Sequence, residues 1–127
     1  MSALVLDAGA LIAVDRGDRA MRARLRAAAN AGLELRTHAF VVAQAWRDSR
    51  GRKADLARLL GATEVVAVDE ALARRCGELL AAAGATDPID AGVVLIARDG
   101  DRIATSDRRD IEGLATAAGR RVAVVAV

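Results

Sequence analysis

Short apolar segments alternate with longer segments of helical character along the chain, and this alternation constrains the fold more than any other feature. The sequence predicts short strands near 3–6, 33–36, 64–68, 102–105 and 122–125. It predicts helices near 8–15, 18–31, 38–49, 52–60, 70–83, 88–98 and 107–118. Strands joined through helices pair in parallel, and helices then cover both faces of the sheet. The predicted class is therefore α/β, with a mostly parallel central sheet.

Length and composition predict one domain over residues 1–127 with an aliphatic core. The hydrophobic fraction is 54%, yet Phe40 and Trp46 are the only aromatic residues, and we expect Trp46 to anchor the core or an interface. No apolar run reaches the roughly 18 residues of a membrane span, and the N-terminus lacks a signal-peptide pattern. The single cysteine, Cys76, cannot form an internal disulfide and is expected to be buried. These features predict a cytoplasmic protein without a membrane partner.

Acidic residues stand at three junctions where a helix begins. Asp7 follows the first strand, Asp107 follows the strand at 102–105, and Asp87 and Asp90 begin the helix at 88–98. In an open α/β sheet such junctions lie along one edge, where sites form. Because clustered carboxylates repel one another, they need a compensating cation. The pattern predicts a divalent metal site and metal-dependent chemistry on an anionic substrate.

Each of these acids also has a structural interpretation as a helix cap. Asp is a favoured N-cap residue, and Asp87 followed by Pro88 is typical of a helix start, so capping is the favoured role of Asp87. Asp90 is harder to explain in this way, because it precedes the otherwise apolar segment 91–97. The net charge is +2 and Lys53 is the only lysine. Arginine suits RNA phosphates, although composition alone favours an ordinary solvated surface.

Four stretches of the chain together resemble the PIN-domain nucleases, and within them the VapC-type toxins of bacterial toxin–antitoxin systems. These stretches are LVLDAGALIAV (4–14), HAFVVAQAWRD (38–48), DPIDAGVVLIA (87–97) and IATSDRRD (103–110). The resemblance implies a three-layer α/β/α sandwich and a Mg²⁺- or Mn²⁺-dependent endoribonuclease that cleaves RNA. It further implies a cognate antitoxin protein as inhibitor and a homodimer.

By position, the resemblance also implies the roles of individual residues. Asp7, Asp90 and Asp107 would be the catalytic metal ligands, with Asp110 as a weaker member. Thr105 or Ser106 would help to hold a metal-bound water or a phosphate. Independently of the resemblance, Arg47 lies within one helical turn of Gln44 and could reach the acidic edge or a substrate phosphate, although a surface role is at least as well supported.

Gln44 departs from the resemblance, because the family usually has a glutamate on the central helix. An amide brings no negative charge, and metal affinity follows the charge of the ligands. Asp87 could compensate by turning toward the metal, or Asp48, one helical turn beyond Gln44, could contribute through a water.

Two other functions remain alternatives. A catalytically weakened PIN-like module would bind RNA or a protein partner without cleavage, because Gln44 has removed a charge. A phospho-acceptor receiver domain also clusters acids at a sheet edge, but it needs a lysine near the late strand, and Lys53 lies in a mid-chain helical segment. His38, the only histidine, is interpreted as a helix-terminal or surface residue rather than a general base.

Overall fold

A five-stranded parallel sheet organises the fold. The computed structural model of the protein describes residues 1–47 and 51–127. Its strands are β1 (Ala3–Leu6), β2 (Glu34–His38), β3 (Glu64–Val66), β4 (Arg102–Thr105) and β5 (Ala123–Ala126). They pair in the order β3-β2-β1-β4-β5, and every pair is parallel. The predicted α/β class with a parallel sheet is confirmed, because every connection between strands contains a helix.

Helices form the two outer layers. They are α1 (Ala8–Asp15), α2 (Arg19–Asn30), α3 (Ala39–Trp46), α4 (Ala54–Gly61), α5 (Glu70–Ala83), α6 (Pro88–Ile96) and α7 (Arg108–Ala118). One group forms around α1, which contacts α2, α3 and α4, and the other consists of α5, α6 and α7, which contact one another. This arrangement is the three-layer α/β/α sandwich. Within residues 1–47 and 51–127 no single helix is long and apolar enough to cross a membrane, although α5 and α6 pass that test together with a bend of 106° between them.

The strand order creates a topological switch point beside β1. From β1 the chain builds the sheet through β2 to β3, and then crosses to β4 and β5 on the other side. Ligand sites in open parallel sheets form outside the carboxyl ends of the strands at such a point. Asp7 directly follows β1, and Ser106 and Asp107 follow β4. The topology therefore brings two of the predicted acids to the place where a site is expected.

The core is aliphatic, and both aromatic residues lie outside it. All four residues of β1 and Ile103 of β4 are buried in the sheet, and Leu11 and Ile111 of the adjoining helices are fully buried as well. Phe40 is 55% exposed and Trp46 is 46% exposed, so a core role for Trp46 is wrong, and its role as an interface anchor stays a prediction. The reason is that α3 buries Val41 and Ala45, which lie about 100–140° around the helix axis from both aromatic residues. Cys76 is buried in α5, as predicted.

The helix and strand boundaries differ from the predicted ones mainly around α3. Strand β2 continues to His38 instead of ending at Arg36, because Thr37 and His38 pair with β3 and Thr37 Oγ1 donates to Leu6 O at 2.7 Å. Helix α3 ends at Trp46, and α4 begins at Ala54 after Lys53, which has a left-handed backbone with φ 68°. Asp48, the residue predicted to compensate for Gln44, lies outside the described residues.

A buried arginine joins the central strands on the side of the molecule away from the acids. Arg36 is 3% exposed, and its guanidinium donates to Asp101 Oδ2 at 3.0 Å, Glu64 Oε1 at 2.7 Å and Ile96 O at 3.1 Å. Asp101 is equally buried and accepts a further bond from Ala3 N at 2.8 Å. This network links β1, β2, β3, α6 and the start of β4, so both buried charges are paired.

Candidate metal centre

Asp7 occupies the end of β1 as a buried cap of α1. Its Oδ1 accepts a hydrogen bond from Ala10 N at 3.0 Å, and its Oδ2 accepts one from Ser106 N at 3.1 Å. Gly9 permits this approach, because a Cβ at that position would collide with the Ser106 side chain. The cap interpretation of Asp7 is correct, and each oxygen keeps a second lone pair that could face a cation. Ser106 contributes its backbone N–H to this arrangement, while its side chain packs against α1.

Three carboxylates come together at the starts of α6 and α7. Asp90, Asp107 and Asp110 each offer an oxygen, and these oxygens lie within 4.8 Å of one another. Asp90 is half-buried in the first turn of α6, whereas Asp107 and Asp110 are exposed at the start of α7. This group can bind a metal ion, because carboxylate oxygens are the usual ligands of hard divalent cations.

Asp107 differs from the other helix-capping acids of the described chain segments. It stands at the N-cap position of α7, yet its side chain makes no capping hydrogen bond. Its backbone N–H instead donates to Thr105 Oγ1 at 2.9 Å, which is the role that the structure gives to Thr105. The Asp107 carboxylate therefore lacks a hydrogen bond of capping geometry, and the approach of the Asp110 N–H lowers its pKa less than the Asp110 carboxylate raises it.

The neighbouring carboxylates, together with burial, raise the pKa values of Asp90 and Asp107. The pKa of Asp90 is raised from 3.8 to about 7, first by burial and then by the charges of Asp87, Asp107, Asp7 and Asp110. The pKa of Asp107 is also raised, first by loss of solvent, then by its hydrogen bond and charge interaction with Asp110. Such mutual repulsion is the condition that a bound cation relieves.

Asp7 and Asp110 differ from the prediction in whether their carboxylates belong to the 4.8 Å group. Asp7, predicted as an equal partner of Asp90 and Asp107, lies outside the 4.8 Å group, although its charge acts on both. Asp110, predicted as a weaker member, lies inside it. The cause is that the Asp7 carboxylate is held by two backbone N–H groups, whereas Asp110 projects from the first turn of α7 beside Asp107.

Asp87 acts as the predicted cap. Its Oδ1 accepts hydrogen bonds from Ile89 N at 2.9 Å and Asp90 N at 3.4 Å, and Pro88 is the first residue of α6. Turning toward a metal would break these bonds. Asp87 nevertheless lines a pocket of about 400 Å³ together with Asp90, Asp110 and Arg109, so its charge contributes to the site.

The remaining predicted site residues lie on α3. Gln44 is half-buried within that helix, and Arg47 is exposed at its C-cap. Among residues 1–47 and 51–127, the carboxylates that form the 4.8 Å group come from the starts of α6 and α7.

His38 has the predicted helix-terminal position, but it is buried. It caps α3 as a helix-terminal residue, but it is 1% exposed, so a surface role is wrong. Nδ1 accepts from Phe40 N at 3.2 Å, so Nε2 must carry the proton and donate to Ile89 O at 2.9 Å. Burial lowers the pKa of His38 most, against the raising effects of the Ile89 carbonyl and Asp87. The neutral ring ties β2 to the helix start that carries Asp90.

A signal for the position of His38 does exist in the sequence. Gly92 lies in the apolar segment of α6, and a Cβ at that position would lie 2.7 Å from His38 Nε2. A glycine inside a buried helix indicates close approach of another group, which here is the imidazole.

Comparison with known proteins assigns no family to the chain. Neither the scan against protein-family models nor the search of curated proteins found a match to the chain. The residues of the site themselves form an acidic group that could bind a metal ion at the switch point of a parallel sheet.

Proposed function

We propose that this protein is a metal-dependent endoribonuclease that cleaves RNA phosphodiester bonds with Mg²⁺ or Mn²⁺. The observation that carries the proposal is the convergence of Asp90, Asp107 and Asp110 within 4.8 Å at the switch point. Burial and then the neighbouring carboxylate charges raise the pKa of Asp90 to about 7, and a bound cation would offset both effects. The sequence resemblance to PIN-domain nucleases supports the choice of RNA as substrate.

Some residues of the site would hold the ion, and others would position the substrate. Asp90, Asp107 and Asp110 would hold it, and Asp7 adds negative charge while it fixes Ser106 against α1. When bound, the ion supplies an activated water and stabilises charge that develops on the phosphate. Arg109 lines the same pocket as Asp90 and Asp110 and would attract a phosphate there.

Gln44 favours a second candidate function. With an amide on α3 in place of the usual acid, the site has less charge for a second cation. The alternative is a PIN-like module that binds RNA or a protein partner without cleaving it. The two candidates differ in one observable, the metal-dependent cleavage of RNA.

The wider biological role also follows the resemblance. We propose that the protein acts in the cytoplasm as the toxin of a type II toxin–antitoxin pair, is inhibited by a cognate antitoxin protein, and forms a homodimer. Light scattering on the purified chain tests the dimer directly. A monomer mass at concentrations well above those used for activity would contradict it.

The test of cleavage uses single-stranded RNA with Mg²⁺ or Mn²⁺, with and without EDTA. Asp90→Asn and Asp107→Asn remove ligand charges without removing a helix cap. Asp7→Asn is a poorer choice, because an amide has only one acceptor oxygen for the two N–H groups that Asp7 satisfies. Glu78→Gln, an exposed acid on α5, is the matched control for charge removal.

The proposal expects cleavage by the wild type and by Glu78→Gln, and at least a hundredfold loss in EDTA and in both Asp variants. Wild-type activity that persists in Asp90→Asn and Asp107→Asn would exclude this site as the catalytic centre. RNA binding without cleavage in either metal, combined with no Mn²⁺ binding, would favour the non-catalytic module.

A further inference from the structure

A pocket of about 580 Å³ lies between β3, α5 and the C-terminal ends of α6 and α7. We call it the arginine pocket, because its lining includes Arg36, Arg75, Arg98 and Arg120. Asp90, Asp107 and Asp110 are not among the residues that line it. Helix α6 begins beside the metal centre and ends at this pocket, so its nine residues, about 13 Å of helix, separate the two sites.

The three acidic residues that also line the arginine pocket already have partners. Glu64 Oε1 accepts a hydrogen bond from Arg36 Nε at 2.7 Å. Asp69 Oδ1 caps α5, where it accepts from the backbone N–H of the third helical residue at 2.8 Å. Asp99 Oδ1 accepts from Arg121 N at 2.8 Å. These acids therefore hold the walls of the pocket together.

Three of the four arginines in this pocket have no acidic partner. Among residues 1–47 and 51–127, Arg75, Arg98 and Arg120 form no salt bridge. They come from α5, from the connection between α6 and β4, and from the connection between α7 and β5. Three separate elements thus bring a guanidinium to one cavity. Like charges around a cavity repel one another, and a bound anion relieves that repulsion.

The guanidinium of Arg120 lacks hydrogen-bond acceptors. Its Nε is buried and has no hydrogen-bond partner in the part of the chain that the structure describes, and its Nη2 donates to Leu95 O over a long 3.5 Å. The end of α7 fixes the backbone of Arg120, because Gly119 has φ 65° and Arg120 N donates to Ala115 O at 2.9 Å. Buried N–H groups without an acceptor are rare and costly, and an anion in the pocket would supply one.

We infer that the arginine pocket binds a phosphate monoester attached to a flat or apolar body, which is the chemistry of a nucleoside monophosphate. A carboxylate is satisfied by one bidentate guanidinium. A phosphate monoester carries a charge of about −1.5 to −2 at pH 7 and has three strong acceptor oxygens, so it suits several guanidinium groups at once. The pocket is separate from the metal centre, and the inference does not depend on the proposed function.

The remainder of the pocket suits the body of such a ligand. Val66, Leu72, Leu95 and Ile96 line it beside the arginines. Its volume of about 580 Å³ lies within the roughly 300–1,000 Å³ of small-molecule sites, so a bound phosphate leaves space for the group attached to it. Guanidinium planes also stack on flat rings. These properties favour an organic monophosphate over inorganic phosphate.

Isothermal titration calorimetry with AMP, adenosine and inorganic phosphate tests the inference. The titrations contain EDTA, so that no cation can hold a phosphate at the metal centre. Arg75→Gln and Arg120→Gln each remove one guanidinium from the pocket, and Arg74→Gln, adjacent to Arg75 but outside the pocket lining, is the matched control. Circular dichroism melting checks the fold of each variant, and Arg75 is exposed, so its replacement should leave the fold intact.

We expect the wild type to bind AMP and to bind adenosine and inorganic phosphate at least about tenfold more weakly, because each of these lacks one half of the ligand. Arg75→Gln and Arg120→Gln should each weaken AMP binding about 10- to 150-fold, the range that corresponds to one hydrogen bond to a charged group. Arg74→Gln should bind AMP within about twofold of the wild type, since its ion pair with Glu70 lies outside the pocket.

An absence of AMP binding at millimolar concentration would overturn the inference, as would unchanged affinity in Arg75→Gln. An equal loss in Arg74→Gln would also overturn it and assign the binding to a general basic surface. Inorganic phosphate that binds as tightly as AMP would overturn the assignment of an organic ligand. A 5′-phosphorylated trinucleotide identifies the source of the phosphate: binding tighter than that of AMP assigns the 5′ end of an RNA strand, and equal or weaker binding assigns a free nucleotide.

Discussion

At the scale of single residues, the site consists of the carboxylates of Asp90, Asp107 and Asp110. The neutral imidazole of His38 bonds the start of the helix that carries Asp90. Asp90 is the most perturbed of these acids because it is half-buried and receives the charges of four other aspartates. His38 is kept neutral by burial, bonds the carbonyl of Ile89, the residue before Asp90, and occupies the space that Gly92 leaves. Two predictions follow from these environments.

Without metal, replacing Asp90 should alter how stability depends on pH. Because the pKa of Asp90 is raised to about 7, the folded state holds an extra proton between about pH 4 and 7. The free energy of unfolding therefore falls as the pH rises through this window. We expect Asp90→Asn to match the wild type near pH 4 and to exceed it above pH 7 by about 1–2 kcal/mol, a value reduced for solvent screening of a half-exposed group.

Urea denaturation in EDTA at pH 4.5 and pH 8 measures this difference. His38 works in the opposite direction, since its lowered pKa makes stability decline as the pH falls below 6.5. That contribution is present in both proteins and cancels in the comparison. A difference between the proteins that is the same at both pH values would disprove the assigned ionisation of Asp90.

The contact between Gly92 and His38 leaves no space for a methyl group. Gly92→Ala would place a Cβ 2.7 Å from Nε2 of a fully buried ring, so we expect a loss of about 1–3 kcal/mol. Gly77→Ala in α5 is the matched control, because a methyl there meets nothing within 4 Å and should stabilise the helix by about 0.5–1 kcal/mol. Thermal unfolding of the two variants compares them, and equal shifts in Tm would be inconsistent with the packing described.

At the scale of secondary structure, aspartate begins most of the helices, and only its hydrogen bonds reveal its role. Side-chain caps formed by aspartate begin α1, α2, α5 and α6. The aspartate at the start of α7 makes no such bond. The same residue type at the same kind of position therefore serves as a structural cap in four helices and as a candidate ligand in the fifth.

This difference predicts opposite effects of two equivalent substitutions. Asp69 Oδ1 accepts from Leu72 N at 2.8 Å, so Asp69→Ala should cost about 1 kcal/mol of stability. Asp107→Ala removes no capping bond and relieves repulsion with Asp110, so its stability should equal or exceed that of the wild type in EDTA. Chemical denaturation of both variants provides the measurement. A loss in Asp107→Ala as large as that in Asp69→Ala would show that Asp107 is an ordinary cap.

At the scale of the whole molecule, the two ends of the sheet differ in whether their groups of acidic side chains are paired with a base. Within residues 1–47 and 51–127, Asp90, Asp107 and Asp110 form no salt bridge, whereas the buried charges of Arg36 and Asp101 are paired with each other. The paired network stabilises the layers on which the acidic edge is built. We therefore expect the network to determine stability, while the acidic edge determines metal binding.

Arg36→Leu should be among the most damaging substitutions in the chain. It would leave the buried Asp101 carboxylate without its cation, at a cost of about 3–5 kcal/mol. Arg74→Leu in α5 is the matched control, because the ion pair of Arg74 with Glu70 is exposed and should contribute less than about 1 kcal/mol. Guanidinium denaturation compares the variants. A loss below 1 kcal/mol for Arg36→Leu would contradict the importance of the network.

Much of the architecture was predictable from local sequence. Helix and strand types, their order and the parallel sheet follow from the alternation of apolar runs with helical segments, because short strands joined by helices have few other ways to pair. The position of Asp7 and Asp107 at one edge follows as well, since parallel strands end on the same side. The boundaries around α3 did not follow, because Thr37 and His38 are retained in β2 by partners on β1, β3 and α6.

The sequence by itself determined that Asp7 and Asp107 stand at the carboxyl edge, because the apolar runs of β1 and β4 end just before them. Only the tertiary structure decided that Asp110 rather than Asp7 joins Asp90 and Asp107, since Asp7 is engaged by Ser106, 99 residues away. It likewise decided that His38 is buried and that the ring of Phe40 is exposed. The physical reason is that hydrogen bonds and burial arise between distant segments, and a capping aspartate and a ligand aspartate have the same local pattern.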